Sequence, residues 1–278
     1  MFPRWSIKTW IKKIIIWLVI AIAVILAIFP VVWLASTSLK NERDAFSTPP
    51  VLIFRPIFDN YISIFRDYDF GKYLLNSIIV GGFSVLGALF LGTTAAYALS
   101  RFHFRGKSQL SFYILSTRIA PPIFIILPLY LIYSKIGLID NYLSLILLYI
   151  VYNLAFVVWL MREFFATVPE EIDEAALIDG CTRWQVFFKI DLPLVKSGLV
   201  ATSIFIFIQS WNEFITAMVM TGNRTKTLPV AISSFMTAQG TLWGPMAAAG
   251  TMVMLPMLIF GLIVQRDLVK GMTLGAIK

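Results

Sequence analysis

Six long apolar runs, separated by short polar stretches, dominate this sequence. A helix that crosses a membrane needs about 20 consecutive, mainly apolar residues. A soluble fold of 278 residues would instead need a polar shell, and these runs leave little room for one. We therefore predict an all-α membrane protein with six transmembrane helices, at about 14–36, 75–99, 110–133, 143–162, 198–220 and 247–265.

The charge content supports a chain that lies mainly in lipid. The sequence is 59% hydrophobic and 14% charged, whereas an average soluble domain is about 25% charged. The net charge of +8 does not indicate nucleic-acid binding, because the basic residues cluster between spans and form no separate basic domain. With Cys181 and His103 as its only cysteine and histidine, one chain forms neither a disulfide nor a Cys/His metal site.

The distribution of lysine and arginine predicts the orientation. A basic cluster at 4–13 precedes an uncleaved first span, and more basic residues follow spans two, four and six than lie in the opposite loops. Since these residues remain preferentially in the cytoplasm, both termini are expected there. The predicted divisions are a tail with the first span at 1–36, an extracytoplasmic loop at 37–74 and a five-helix core at 75–278.

Small residues and prolines mark the second and third spans. Gly81, Gly82, Gly87 and Gly92 lie in the second span with alanines between them, a pattern that allows close approach of helices. The Pro121-Pro122 pair in the third span removes backbone donors and predicts a bend there.

The polar segment between the fourth and fifth spans, residues 163–197, is here called the elbow. Thr167 and Glu170 have capping-box spacing, which predicts a short helix from Thr167 that ends at Gly180 in a left-handed conformation. Thr182 and Gln185 repeat that spacing and predict a second short helix, to about residue 190. The segment is therefore expected to be two helices hinged at a glycine, a form that is also typical of a plain amphipathic connector.

The elbow contains Glu174-Ala175-Ala176, then Asp179-Gly180 and then Ile190-Asp191-Leu192-Pro193. This order resembles the EAA motif (EAA, three residues, G and, nine residues later, I-x-LP) of binding-protein-dependent ABC importer permeases. Further segments, including Trp211-Asn212-Glu213-Phe214 and Gly271 to Ala276, are similar to maltose-type carbohydrate permeases, so that the resemblance covers about residues 70–278. Cys181 departs from the alanine or other small residue usual in the family. The resemblance implies an ATPase-coupling role for Glu174, Ala175, Ala176, Asp179, Gly180, Ile190 and Pro193.

The same resemblance implies a six-helix type I importer fold in the prokaryotic cytoplasmic (inner) membrane. The chain would form half of an alternating-access pathway for a sugar, and its elbow would insert into a cleft on an ATPase. The implied partners are a second homologous permease, two ATPase subunits that carry ATP and Mg, an extracytoplasmic solute-binding protein, the sugar and membrane lipid. The chain itself would hold no cofactor and catalyse no reaction; its Gly106-Lys107-Ser108 sequence lacks the first glycine of a P-loop, because Arg101 stands there.

Charged groups within spans are costly, so Arg118 and Glu213 are candidates for a functional or pairing role. The fifth span also carries a polar stripe on one helical face. The stripe is expected either to line the solute path or to bond to neighbouring helices, and both interpretations stay open. The candidate pathway-lining residues are Gln209, Asn212, Glu213, Thr216 and Arg118, with Thr202 on the same stripe. An ion pair between Arg118 and Glu213 is a further hypothesis, although straight helices would place them at different depths.

Two other functions compete with an ATP-driven permease. An ion-coupled secondary transporter is disfavoured because only one acidic residue is placed within the spans and no inverted repeat of broken helices is visible. A non-transporting membrane scaffold would make the polar stripe purely structural. An intramembrane enzyme has no support from any nucleophile or zinc motif.

Overall fold

The computed structural model describes residues 7–119, 121–238 and 240–274, and most of them are helical. Arg4 of the predicted basic cluster and the Gly275-Ala276 pair lie outside the described residues. The helices are α1 (Ile7–Ser38), α2 (Glu42–Ala45), α3 (Asp59–Arg66), α4 (Phe70–Arg101), α5 (Lys107–Ser116), α6 (Pro122–Lys135), α7 (Tyr142–Ala166), α8 (Glu170–Ile178), α9 (Arg183–Val186), a π-helix (Phe187–Asp191), α10 (Leu192–Leu194), α11 (Lys196–Asn212), α12 (Ile215–Met220), α13 (Leu228–Ser233) and α14 (Trp243–Leu274). A short antiparallel hairpin, β1 (Met236–Thr237) and β2 (Gly240–Thr241), precedes α14.

Within the described residues, four helical stretches are long and apolar enough to cross a membrane: Trp10–Ser38, Phe70–Arg101, Tyr142–Ala166 and Trp243–Leu262. A fifth arises if Arg183–Leu194 and Lys196–Asn212, which are bent by 78° relative to each other, count as one span. The all-α membrane fold predicted from the apolar runs is therefore confirmed.

Two of the expected spans are interrupted. The window 110–133 is divided into α5 and α6 by a break after Ser116, since Pro121 has no amide proton and disfavours a helical residue before it. The window 198–220 is divided into α11 and α12 by non-helical residues at Glu213 and Phe214. The third span thus bends where the Pro121-Pro122 pair predicted it, whereas the expectation of one continuous helix at 198–220 is wrong.

The chain divides into two compact units, and the predicted boundaries at 36 and 74 stay predictions. One unit comprises Met1–Asp69 and Ser234–Leu255. In it, the Asn60 amide donates to the carbonyls of Ser38 and Lys40 at 2.8 and 2.9 Å, which fixes α3 beside the end of α1.

The other unit comprises Phe70–Ser233 and Pro256–Lys278. In it, α4 packs along α7, and α11 packs against both helices. The close approach depends on small residues, since a Cβ atom added at Gly92 would lie 2.6 Å from the Val157 Cγ1 atom. An added Cβ at Gly82, by contrast, would meet nothing within 4 Å. Side chains of α11 or α7 would thus crowd a Cβ at Gly81, Gly87 or Gly92, whereas Gly82 does not serve close packing.

Candidate functional site

The first helix of the elbow begins later than the sequence pattern predicts. Helix α8 starts at Glu170, directly after Pro169. The Thr167 hydroxyl donates to the Phe164 carbonyl at 2.7 Å and belongs to the end of α7. The predicted Thr167–Glu170 capping box is wrong, because Thr167 satisfies a C-terminal carbonyl of α7 while the fixed φ of Pro169 already suits the start of a helix.

Gly180 ends α8 as predicted. Its φ is +86°, its amide donates to the Leu177 carbonyl at 3.1 Å, and the Cys181 amide donates to the Ala176 carbonyl at 3.0 Å. This pair of hydrogen bonds is a Schellman motif, which needs a residue in the left-handed region and therefore favours glycine. The turn between the two helices of the elbow is thus set by one backbone conformation.

The second helix of the elbow carries the predicted capping box. The Thr182 amide donates to Gln185 Oε1 at 2.7 Å, and the Gln185 amide donates to Thr182 Oγ1 at 3.3 Å. The helix then widens into the π-helix, in which the Leu192 amide donates to the Phe187 carbonyl. Pro193 follows directly; its ring would clash with the carbonyl four residues earlier in an α-helix, and the wider turn relieves that clash.

The EAA residues divide between surface and interior. Ala176 is 8% exposed and packs within the chain, whereas Ala175 is exposed and is available to a partner. Large apolar side chains stand beside the motif, with Ile178 86% and Trp184 65% exposed. The exposed motif residues are Glu174, Ala175, Asp179, Gly180 and Pro193, and Ile190 is half-buried.

A buried ionic group, the Arg101 cluster (Arg101, Asp173 and Asp191), joins the elbow to the end of α4. Arg101 Nε lies 2.8 Å from Asp173 Oδ2, and Arg101 Nη2 lies 3.3 Å from Asp191 Oδ1. Arg101 Nη2 also donates to the Val168 carbonyl at 3.0 Å. This cluster was not predicted from the sequence. An available signal was the charge of Asp191 between the apolar residues Ile190 and Leu192.

A cavity of about 470 Å³ lies between the broken helices and α7. Arg118 stands at the break after α5, where its guanidinium lies 4.7 Å from the centre of the Phe156 ring and donates to Gln209 Oε1 at 3.3 Å. The polar wall therefore combines a guanidinium, an amide, phenols and hydroxyls, which can exchange hydrogen bonds with a hydroxylated solute. The lining residues with polar side chains are Thr117, Arg118, Tyr149, Tyr152, Asn153, Gln209, Ser210 and Glu213.

Glu213 does not pair with Arg118 in the described part of the chain. Its carboxylate instead accepts from the amides of Thr216 and Ala217 at 2.8 and 3.0 Å, and from the Tyr149 hydroxyl at 2.8 Å. The break between α11 and α12 places it at the start of α12, where free amides and the helix dipole stabilise a negative charge. Kinked helices were needed to bring the two residues together, but the break at Glu213 directs its carboxylate to the amides of α12 instead.

Two of the five candidate pathway residues do not line this cavity. The Asn212 amide donates to the Ile208 carbonyl at 2.9 Å, and Thr216 is fully buried. Sequence reasoning missed Tyr149 and Asn153, which lie four residues apart on one face of α7. The Asn153 amide, 3.0 Å from Ser210 Oγ, ties α7 to α11.

Comparison with known proteins agrees with this architecture. The probable ABC transporter permease protein y4oR of Sinorhizobium fredii is 39% identical over 90% of both chains. The trehalose transport system permease protein SugB of Mycobacterium tuberculosis is 37% identical over 91% of this chain and 93% of its own.

The fold also matches a crystal structure of a bacterial ABC transporter involved in the import of the acidic polysaccharide alginate. The TM-score is 0.79 at 23% identity, over 95% of this chain and 99% of that one. Residues 88–273 match the family model described as binding-protein-dependent transport system inner membrane component. The chain therefore belongs to the family of inner membrane components of binding-protein-dependent transport systems.

Proposed function

We propose that this chain forms half of the membrane pathway through which an ATP-driven importer carries a sugar. As a member of its family, the chain is a multi-pass permease subunit without catalytic activity, and the ATPase is a separate subunit. The carbohydrate assignment is supported by similarity to a permease named for trehalose transport. The observation that carries the proposal is the cavity, whose guanidinium, amide and phenol groups match the hydroxyls of a sugar.

The complete transporter would contain a second homologous permease, two ATPase subunits that bind ATP and Mg, and an extracytoplasmic solute-binding protein. The exposed position of Arg118 and Thr117 supports a pathway completed by the second permease. Both chain termini would lie in the cytoplasm, as the basic residues predict. In this orientation the elbow meets the ATPases.

Uptake by the reconstituted complex tests the pathway. Labelled trehalose is offered to vesicles that contain the chain with its cognate permease, ATPases and binding protein, and unlabelled mono- and disaccharides compete. Gln209→Leu removes a cavity amide that holds Arg118, and uptake is expected to fall at least about tenfold. Asn212→Leu, on the same helix but outside the cavity, is the matched control and should retain most uptake. ATP-independent uptake, or uptake that no sugar inhibits, would overturn the proposal.

Docking of the elbow is tested by charge reversal. Glu174 and Glu171 are both exposed on α8, and only Glu174 belongs to the EAA motif. Glu174→Lys is expected to abolish ATP-driven uptake, whereas Glu171→Lys should retain most of it. Equal losses of uptake in the two variants would contradict a specific docking role for Glu174.

A further inference from the structure

One guanidinium connects a membrane helix with both helices of the elbow. Arg101 is 8% exposed and stands at the last turn of α4. Its three contacts are Asp173 on α8, Asp191 at the end of the π-helix and the Val168 carbonyl just before α8. The two acidic partners therefore lie on opposite sides of the Gly180 turn.

The cluster holds two carboxylates against one cation. Asp173 Oδ1 and Asp191 Oδ2 are buried and have no hydrogen-bond partner within the part of the chain that the structure describes. Two ionised carboxylates that share a buried site repel each other, and retention of one proton removes that repulsion. Burial, followed by the nearby Asp173 charge, raises the pKa of Asp191 to about 6, although Arg101 opposes this rise.

Among the described residues, no second cation forms an ion pair with either aspartate. Arg101 and Tyr97 from α4 lie near the two aspartates, and Arg183 from α9 lies near Tyr97. The Tyr97 hydroxyl is buried without a hydrogen-bond partner among the described residues. The Arg183 guanidinium lies 5.6 Å from the centre of the Phe102 ring, and Arg183 is exposed.

We propose that the Arg101 cluster is the positioning joint that makes the elbow and α4 move as one body. This inference rests on the proposed function, since the displacement would come from the ATPase. The rings of Tyr97 and Phe187, whose centres lie 4.9 Å apart, pack in the same region. Separation of a buried ion pair leaves charges without partners and is strongly resisted.

The joint extends into the membrane through close packing. Helix α4 lies along α7, and the short distance between Gly92 and Val157 leaves little space for one helix to slip over the other. Helix α7 carries Tyr149 and Asn153 of the cavity. A push on the elbow is thereby delivered to a wall of the solute path.

The test measures sugar uptake per ATP hydrolysed in vesicles that contain the whole complex. Arg101→Gln removes the cation, and the exposed Arg105→Gln is the matched control. We expect Arg101→Gln to keep the ATPase bound while uptake per ATP falls at least about tenfold, with partial rescue by Arg101→Lys. Arg105→Gln should behave like the unaltered protein. Equal coupling in Arg101→Gln and Arg105→Gln would overturn the inference.

Asp191→Asn supplies a second test that does not depend on the folding of an Arg101 variant. An amide at this position reproduces the uncharged, hydrogen-bonding state of the aspartic acid. The unaltered complex should lose uptake per ATP as the pH rises from 5 to 7.5, because Asp191 then ionises. Asp191→Asn should flatten this profile, and an unchanged profile would contradict a role for the Asp191 proton in the joint. A wild-type complex without ATP-driven uptake would instead refute the proposed function itself.

Discussion

The Tyr149 hydroxyl donates a 2.8 Å hydrogen bond to the Glu213 carboxylate, which also caps the first amides of α12. The first prediction concerns this contact. Glu213→Gln leaves one acceptor oxygen for several donors, and we expect a loss of about 2 kcal/mol in stability. Tyr149→Phe should lose less, since it removes one donor only. Thermal unfolding in detergent of both single variants and the double variant measures the coupling, and purely additive losses would argue against the contact.

The second prediction compares two glycines of α4. Gly92→Ala places a methyl group 2.6 Å from Val157 Cγ1, and overpacking of this kind costs about 1–3 kcal/mol. Gly82→Ala, which meets no atom within 4 Å, should be neutral or slightly stabilising, because alanine favours a helix. Thermal unfolding of both variants checks the difference. Equal behaviour would mean that α4 and α7 are less closely packed than described.

The third prediction concerns stability against pH at Asp191. Its pKa is raised to about 6 in the folded protein from an ordinary value of 3.8, so the folded state binds the proton more tightly than the unfolded state. The resulting contribution to stability is present below about pH 4 and is lost as the pH rises to about 6. Asp191→Asn should therefore be more stable than the unaltered chain by up to about 3 kcal/mol at pH 7.5, and should lose that advantage near pH 4.

Melting temperatures of the two proteins across this pH range provide the measurement. Other carboxylates titrate equally in both, so only the difference between the two curves reports Asp191. A constant difference from pH 4 to pH 7.5 would contradict the prediction.

The fourth prediction separates backbone strain from coupling. Gly180 and Gly106 have φ values of +86° and +87°. Valine at either position should cost at least about 1–2 kcal/mol in stability, because a side chain disfavours the left-handed region. Only Gly180→Val, within the elbow, should also lower sugar uptake per ATP. If Gly106→Val lowers coupling as much, general destabilisation explains the effect and the hinge has no special role.

Patterns local in sequence predicted much of the fold. The apolar runs identified a membrane protein, and the Thr182–Gln185 spacing and Gly180 correctly predicted one cap and one turn of the elbow. The Thr167 prediction was wrong because the hydroxyl had two possible partners nearby. It donates to a carbonyl of α7 and does not accept from an amide of α8. Spacing alone does not decide between two such partners.

The missed features depend on residues far apart in the chain. Arg101, Asp173 and Asp191 meet only because α4 ends beside the elbow, which no periodicity reports. The predicted polar stripe required the fifth span to be one straight helix. The break at Glu213 changes the direction of the residues that follow it, and Thr216 therefore does not line the cavity. The Pro121-Pro122 pair indicated the first interruption in the sequence. No proline lies near Glu213 and Phe214 to indicate the second.

The two interruptions, after Ser116 and at Glu213, both border the cavity. Where a helix stops, its peptide groups lose their internal partners, and hydrocarbon has no donors or acceptors to replace them. Such backbone is tolerated at membrane depth only where protein or water covers it. The broken helices therefore need protein or water beside them, and the cavity that they border has room for water at this point.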